Sequence, residues 1–237
     1  MPSFKLQAII LARQDFGESD RLLSIYSLEN GREQILAKGV RKTLSKLGGF
    51  LEQFSQVEIV ISRGASIPIL SEVSTLKSFK NLRQHLESIQ KANYLSQIIQ
   101  RFTPQEEENP ELFKLLMTSI LFLSENLAAE LVPAYFSLTF LKIHGLAPNL
   151  AECGECGQAL NENEVYFPAP YDSFICKNCK PDTQSKLTPQ SAKLLKLMLN
   201  KDLDFLSKLQ GLDPTTVKTV TDLSKKLLSF HFEQEVN

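Results

Sequence analysis

Residues 68–102 read PILSEVSTLKSFKNLRQHLESIQKANYLSQIIQRF, and the hydrophobic period changes inside them. As far as Leu76 the run is short and partly alternating, and it mixes Ile, Leu, Val and Thr, the pattern of a half-buried strand. From Phe79 onward the apolar positions Phe79, Leu82, Leu86, Ile89, Leu95, Ile98 and Phe102 recur at threes and fours, which predicts a helix over 79–102 with one buried face. Everything before the switch carries the first pattern. FKLQAIILAR (4–13), RLLSIYS (21–27), EQILAKG (33–39) and QFSQVEIVISR (53–63) are short runs rich in Ile, Val, Leu and Phe, divided by the polar turns QDFGESD, LENG and RGAS. Five short strands in about 75 residues suit a small antiparallel barrel, and the five-stranded OB-fold is the one that recurrently binds nucleic acid. An SH3-like barrel is the structural alternative.

Everything after the switch is helical but for one segment. TPQEEENPE (103–111) breaks the first helix with two prolines and a glutamate run, which reads as a loop and a helix N-terminus, since adjacent solvated carboxylates repel one another without being buried. Helices over 111–127 and 130–144 follow, the second apolar on nearly all sides in LVPAYFSLTFL and so expected at the centre. LTPQSAKLLKLMLN opens a further helix with Thr188 as N-cap and Pro189 in its first turn, and the last helix, 214–232, spaces Val217, Val220, Leu223, Leu227 and Phe230 on one face.

The exception holds all four cysteines, in two pairs, Cys153-x2-Cys156 and Cys176-x2-Cys179, with 19 residues between. That spacing is the one a tetrahedral zinc site uses, and the glycines of CGECG let backbone N–H groups approach the thiolates. The intervening VYFPAPYDSFI reads as a hairpin that brings the second pair beside the first. With four thiolates zinc has no open position, so one structural ion that braces the segment is the expectation. A degenerate, metal-free site and a dithiol redox centre are the other readings of these residues, although the βαβ surroundings of a thioredoxin-like CxxC are not evident. The fold class is therefore α+β: an OB-fold β-barrel domain over 1–78, a helical domain over 79–148 and 181–237, and a zinc module inserted at 149–180.

The connection between the third and fourth strands contains AKGVRKTLSKLGG (37–49), with Lys38, Arg41, Lys42 and Lys46, three glycines and no acid, in a chain of formal net charge −1. Such a run is ordinarily a solvated loop. Residues 1–80, however, carry 11 basic and 8 acidic groups, whereas 81–148 carry 5 and 7 and 149–180 carry 2 and 5. The N-terminal third is thus the electropositive part, and a polyanion responds to local clustering rather than to net charge.

Other function classes find little in the sequence. At 237 residues, 43% hydrophobic and 22% charged, the composition is that of a soluble globular protein. The apolar run Leu131–Leu141 ends at Lys142, well short of a membrane span. MPSFKLQAII lacks the plan of a secretion signal, which predicts a reducing cytoplasm. Phosphate-binding glycine loops and nucleophile elbows are missing, and His85, His144 and His231 are dispersed on helices, so catalytic residues are not expected.

A small barrel, then helices, with a four-cysteine insertion among them, is an unusual order. FGESDRLLSIYSLENGREQILAKGVRKTLSKLGGFLEQF, followed by ISRGASIPILSEV, resembles the N-terminal half of the RecO family of bacterial recombination mediators. FLKIHGLAPNLAECGECG, ending in FICKNC, is similar to that family's entry into its zinc module. The resemblance implies a non-enzymatic, cytoplasmic and nucleoid-associated DNA repair protein that binds single- and double-stranded DNA and anneals complementary strands. It also implies association with RecR and with single-stranded-DNA-binding protein, and help to RecA in displacing the latter. Lys38, Arg41, Lys42 and Lys46 would contact phosphates, with Arg13 and Arg21 on neighbouring strand ends. The acidic, apolar-ended tail of single-stranded-DNA-binding protein would need a groove between helices with a basic rim, for which Lys114, Lys142, Lys193 and Lys196 are the candidates. The competing readings are a zinc-ribbon assembly adaptor that binds no DNA, and an enzyme using an exposed CxxC thiolate.

Overall fold

Strand β1 (Ser3–Phe16) serves two neighbours, one on each edge, and a register shift lies between Ile10 and Ala12 on one of them. Its first half pairs antiparallel with β4 (Gln56–Ser62), and its second half pairs with β2 (Asp20–Ser27). β2 continues antiparallel into β3 (Gly31–Ala37), and β4 into β5 (Ile69–Lys77). A parallel contact of Leu36 with Ile69 closes the sheet in the order β1-β2-β3-β5-β4, the five-stranded barrel of the OB-fold. This is a computed structural model, and it describes residues 3–232 apart from 44, 46, 65, 162, 168–172 and 181–184.

The interior follows the period of two that marked the strands. Leu6, Ala8 and Ile10 of β1 meet Leu23 and Ile25, Ile35 and Ala37, Val57, Ile59 and Ile61, and Leu70 in one buried cluster. Where β3 diverges from β5, the glutamate run takes its edge. Glu106 N donates to the Arg32 carbonyl at 3.0 Å, and Arg32 Nε donates to the Thr103 carbonyl at 3.0 Å. Gly31 makes room for this, since a Cβ there would stand 1.9 Å from the Glu107 carbonyl oxygen. The run is thus more than a solvated loop.

The helical period begins later than the sequence suggests. Phe79 adopts φ 45°, residues Lys80–Gln84 form a 3-10 turn, and His85 is extended, so helix α1 spans Leu86–Phe102. Leu86, expected on the buried face, is 70% exposed. The cause is Arg83, whose Nη1 donates to the carbonyls of Gln53 (3.1 Å) and Ser78 (2.6 Å), which binds the turn to the barrel before a helix can start. α2 (Pro110–Ser124) opens on Asn109, whose side chain accepts from Leu112 N at 2.9 Å.

Contacts divide the chain into two compact units, Met1–Asn126 and Leu127–Asn237. The first holds the barrel with α1 and α2. In the second, α3 (Val132–Ile143) packs with α4 (Pro189–Asn200) and α5 (Pro214–Phe232), and almost all of its residues are buried, as its all-round apolarity requires. Thr188 caps α4 by accepting from Ser191 N at 3.1 Å. Among the described residues no helix is long and apolar enough to cross a membrane.

Candidate nucleic-acid interface and metal centre

The β1–β2 hairpin ends in a turn at Gly17–Ser19, and the chain leaving β3 folds back against it. Gly39 N donates to Asp20 Oδ1 at 2.7 Å, Arg41 N donates to the Ser19 carbonyl at 2.9 Å, and Arg41 Nη1 donates to the Gly17 carbonyl at 3.2 Å. Val40 and Leu51 join the barrel core, with Leu47 packed against it. Gly48 lets the loop close over Val40, whose carbonyl oxygen would lie 2.7 Å from a Cβ at that position. With the apolar residues turned inward, Lys38, Arg41 and Lys42 are left exposed beside the hairpin tip. Lys46 lies outside the described residues.

The basic segment contains no acid, yet acids from elsewhere in the chain reach it. Asp15 accepts from Arg21 Nε at 3.2 Å through Oδ1 and from Arg41 Nη2 at 3.3 Å through Oδ2. Arg13 Nη1 donates to Glu52 Oε1 at 3.0 Å and to the Leu51 carbonyl at 3.2 Å. The Gly39 N–H, the Ser19 hydroxyl and the charges of Lys38 and Lys42 hold the Asp20 carboxyl below its ordinary value, although burial opposes them. In the sequence QDFGESD reads as a polar turn only. Antiparallel pairing sets Asp15 opposite Arg21, and that register is the signal that could have found the pair. Arg63, at the start of the β4–β5 connection, was also missed. It donates to the buried Glu33, lies 3.5 Å from Glu106, and stands 5.4 Å from the Phe4 ring centroid. Burial raises the Glu33 carboxyl above its usual range, and Arg63 acts against that.

The four cysteine sulfurs lie within 4.8 Å of one another, with Cys156 and Cys176 Sγ 3.8 Å apart. Zinc–sulfur bonds of about 2.3 Å in a tetrahedron give an edge of about 3.8 Å, so the spacing suits a divalent ion held by Cys153, Cys156, Cys176 and Cys179. No disulfide links them. Tyr166 and Ile175 exchange backbone hydrogen bonds of 3.0 Å in each direction, which forms the flanks of the expected hairpin, while its tip lies outside the described residues. Cys176 N donates to Cys153 Sγ at 3.3 Å. Burial disfavours the Cys153 thiolate, but the N–H groups of Cys156, Cys176 and Glu155 prevail and lower its pKa to about 6. The thiols of Cys156 and Cys176 push Cys179 up to about 12, because crowded sulfurs resist ionising together without a cation. The cluster can therefore hold a metal ion, and the donor set is closed.

Two of the four lysines named for partner docking share a groove. Lys142 and Lys196 line one groove with Pro148, Leu150 and Leu199, where Lys142 Nζ donates to the Leu199 carbonyl at 2.8 Å. Lys193 is exposed on α4 outside that lining, and Lys114 belongs to the other compact unit.

Comparison with known proteins decides the family. Residues 1–79 match the family described as Recombination protein O N terminal, and residues 83–237 match Recombination protein O C terminal. The chain belongs to the RecO family. Among RecO relatives, the DNA repair protein RecO of Dehalococcoides mccartyi is 34% identical over 208 residues, covering 87% of this chain and 82% of the relative. That of Desulforamulus reducens is 26% identical over 238 residues, covering 100% and 92%. That of Bacillus pumilus is 28% identical over 204 residues, covering 85% and 79%. The RecO boundary between the two matches falls at the end of the barrel, whereas the first compact unit runs on through α2.

Proposed function

We propose that this protein is a DNA repair and recombination mediator that binds single- and double-stranded DNA through the hairpin-tip end of its barrel. It anneals complementary strands there and, with RecR, helps RecA load onto DNA covered by single-stranded-DNA-binding protein. The observation that carries this reading is that Lys38, Arg41 and Lys42, on a turn pinned to the hairpin by three hydrogen bonds, join Arg21 of β2 at one end of an OB-fold barrel. Phosphate contacts are sequence-blind, so neutralising two backbones at once promotes annealing without bond chemistry, and the protein acts as a non-enzymatic factor in the cytoplasm. One structural zinc held by the four cysteines would brace the second unit. The groove lined by Lys142 and Lys196 offers cations and apolar side chains to the acidic, apolar-ended tail of single-stranded-DNA-binding protein.

The adaptor reading draws on one observation, that Arg13, Arg21 and Arg41 already donate to carboxylates and so suit an acidic partner chain. Replacing Lys38, Arg41, Lys42 and Lys46 together by Ala separates the two. On single strands each lost phosphate contact should flatten the slope of log affinity against log salt by about 0.7, with affinity falling alike for all sequences. Folding should survive, because exposed lysine charges alter stability by about 0.5 kcal/mol or less, and Arg41→Ala keeps the backbone bonds of Gly39 and Arg41 while losing a side-chain bond worth about 1 kcal/mol. A variant that keeps the parent's affinity and salt slope would overturn the DNA reading and leave the adaptor.

A further inference from the structure

We propose that Arg21 and Arg41 form a clamp for a single backbone phosphate, and that Asp15 occupies this clamp whenever nucleic acid is absent. The inference rests on the DNA-binding reading above. Two guanidinium groups converge on one carboxylate, each on a different oxygen, at 3.2 and 3.3 Å. A phosphodiester presents two non-bridging oxygens in much the same way, and guanidinium forks suit both groups.

Two features mark the carboxylate as a removable occupant. Strong charge-assisted bonds run at about 2.7–2.9 Å, so both contacts are long. Asp15 is also 54% exposed, so turning its short side chain outward costs little desolvation. Arg41, by contrast, is held apart from it, and the Arg21 backbone is anchored on its other side. Arg21 sits in the β2 ladder opposite Ala37, and Arg41 is held by the Ser19 and Gly17 carbonyls. Arg41 therefore stays in place when Asp15 leaves, while the Arg21 side chain is freed to meet a phosphate.

Exchange of one anion for another gains little by itself. A lone phosphate gains almost nothing over Asp15, whereas a strand that reaches Lys38 and Lys42 at the same time gains their contacts as well. Asp15 would thereby set a threshold that favours extended polyanions over small ones.

The test is fluorescence anisotropy with a labelled oligothymidine at one fixed salt concentration. Asp15→Asn should tighten binding about two- to five-fold, the scale of an exposed ion pair. Glu18→Gln, which removes the same charge from the hairpin tip without releasing an arginine, should give a clearly smaller gain. On an Arg21→Gln/Arg41→Gln background, Asp15→Asn should give none. Asp15→Ser serves as a second variant if the Asn form melts early. The clamp is overturned if the parent binds DNA and Asp15→Asn leaves affinity unchanged or weaker, if Glu18→Gln matches it, or if the gain survives without both arginines. A parent that fails to bind at all would instead defeat the underlying DNA reading, and the clamp with it.

Discussion

At Gly31 the backbone has φ +63°, and a Cβ would lie 1.9 Å from the Glu107 carbonyl oxygen. An added methyl group must both tolerate the left-handed conformation and push the 103–107 segment off the edge of β3. Gly31→Ala should therefore cost at least about 2 kcal/mol, roughly 1 from the backbone and the remainder from displaced packing. Gly49, with ordinary φ and open space around it, is the control, and its Ala variant should stay within about 0.5 kcal/mol of the parent. Urea unfolding of both variants checks this, and equal midpoints would refute it. The turn at LENG was legible in the sequence, because Asn-Gly marks turns locally. The strict need for glycine was not, since it comes from a carbonyl 76 residues away. Asp15 was hidden for the same reason, as its arginines reach it only through hairpin register and loop return.

Elements that begin on a local signal were read correctly, and those that begin on a tertiary one were not. α4 starts at Pro189 behind its Thr188 cap as the sequence indicates, while α1 starts seven residues after Phe79 because Arg83 ties the intervening turn to barrel carbonyls. α5 carries a local signal that went unused. The Asp213 carboxylate accepts from Thr216 N at 3.0 Å, from Thr216 Oγ1 at 2.6 Å and from the Thr215 hydroxyl. The Thr215 and Thr216 hydroxyls, and then the Thr216 N–H, lower its pKa to about 2 from an ordinary 3.8. Since the folded value is the lower one, the cap's contribution is full above the ordinary value and is lost as pH falls through about 2. Asp213→Ala should lower the thermal midpoint at pH 6, and its gap from the parent should narrow steadily from pH 4 toward pH 2. Melts followed by circular dichroism test this, and a gap that stays constant down to pH 2 would show that the carboxylate is not its source.

For the whole chain, the division into two compact units separates two kinds of stability. The barrel's core of Leu6, Ile10, Ile25, Ile35, Ile59, Ile61 and their neighbours lies wholly within the first unit and is built from period-two strands. Among its described residues the cysteine segment has one small core cluster, Cys153, Tyr166 and Ile175, with Leu160, Cys176 and Cys179 packed partly against them, and it buries Val165, Phe174 and Leu187 besides. So small a cluster cannot offset the chain entropy of its own segment, and a closed four-thiolate zinc site would supply the difference as folding free energy. The purified protein should accordingly contain about one equivalent of zinc. Chelation, or Cys176→Ser, should open residues 149–187 to protease while a fragment carrying the barrel survives. That fragment should still bind single-stranded DNA, because Arg21, Lys38, Arg41 and Lys42 all belong to the first unit. Protease mapping and anisotropy before and after chelation give the answer. A cleavage pattern indifferent to the chelator would mean that the cysteines hold no bracing metal, and loss of the barrel fragment would mean that the two units do not fold independently.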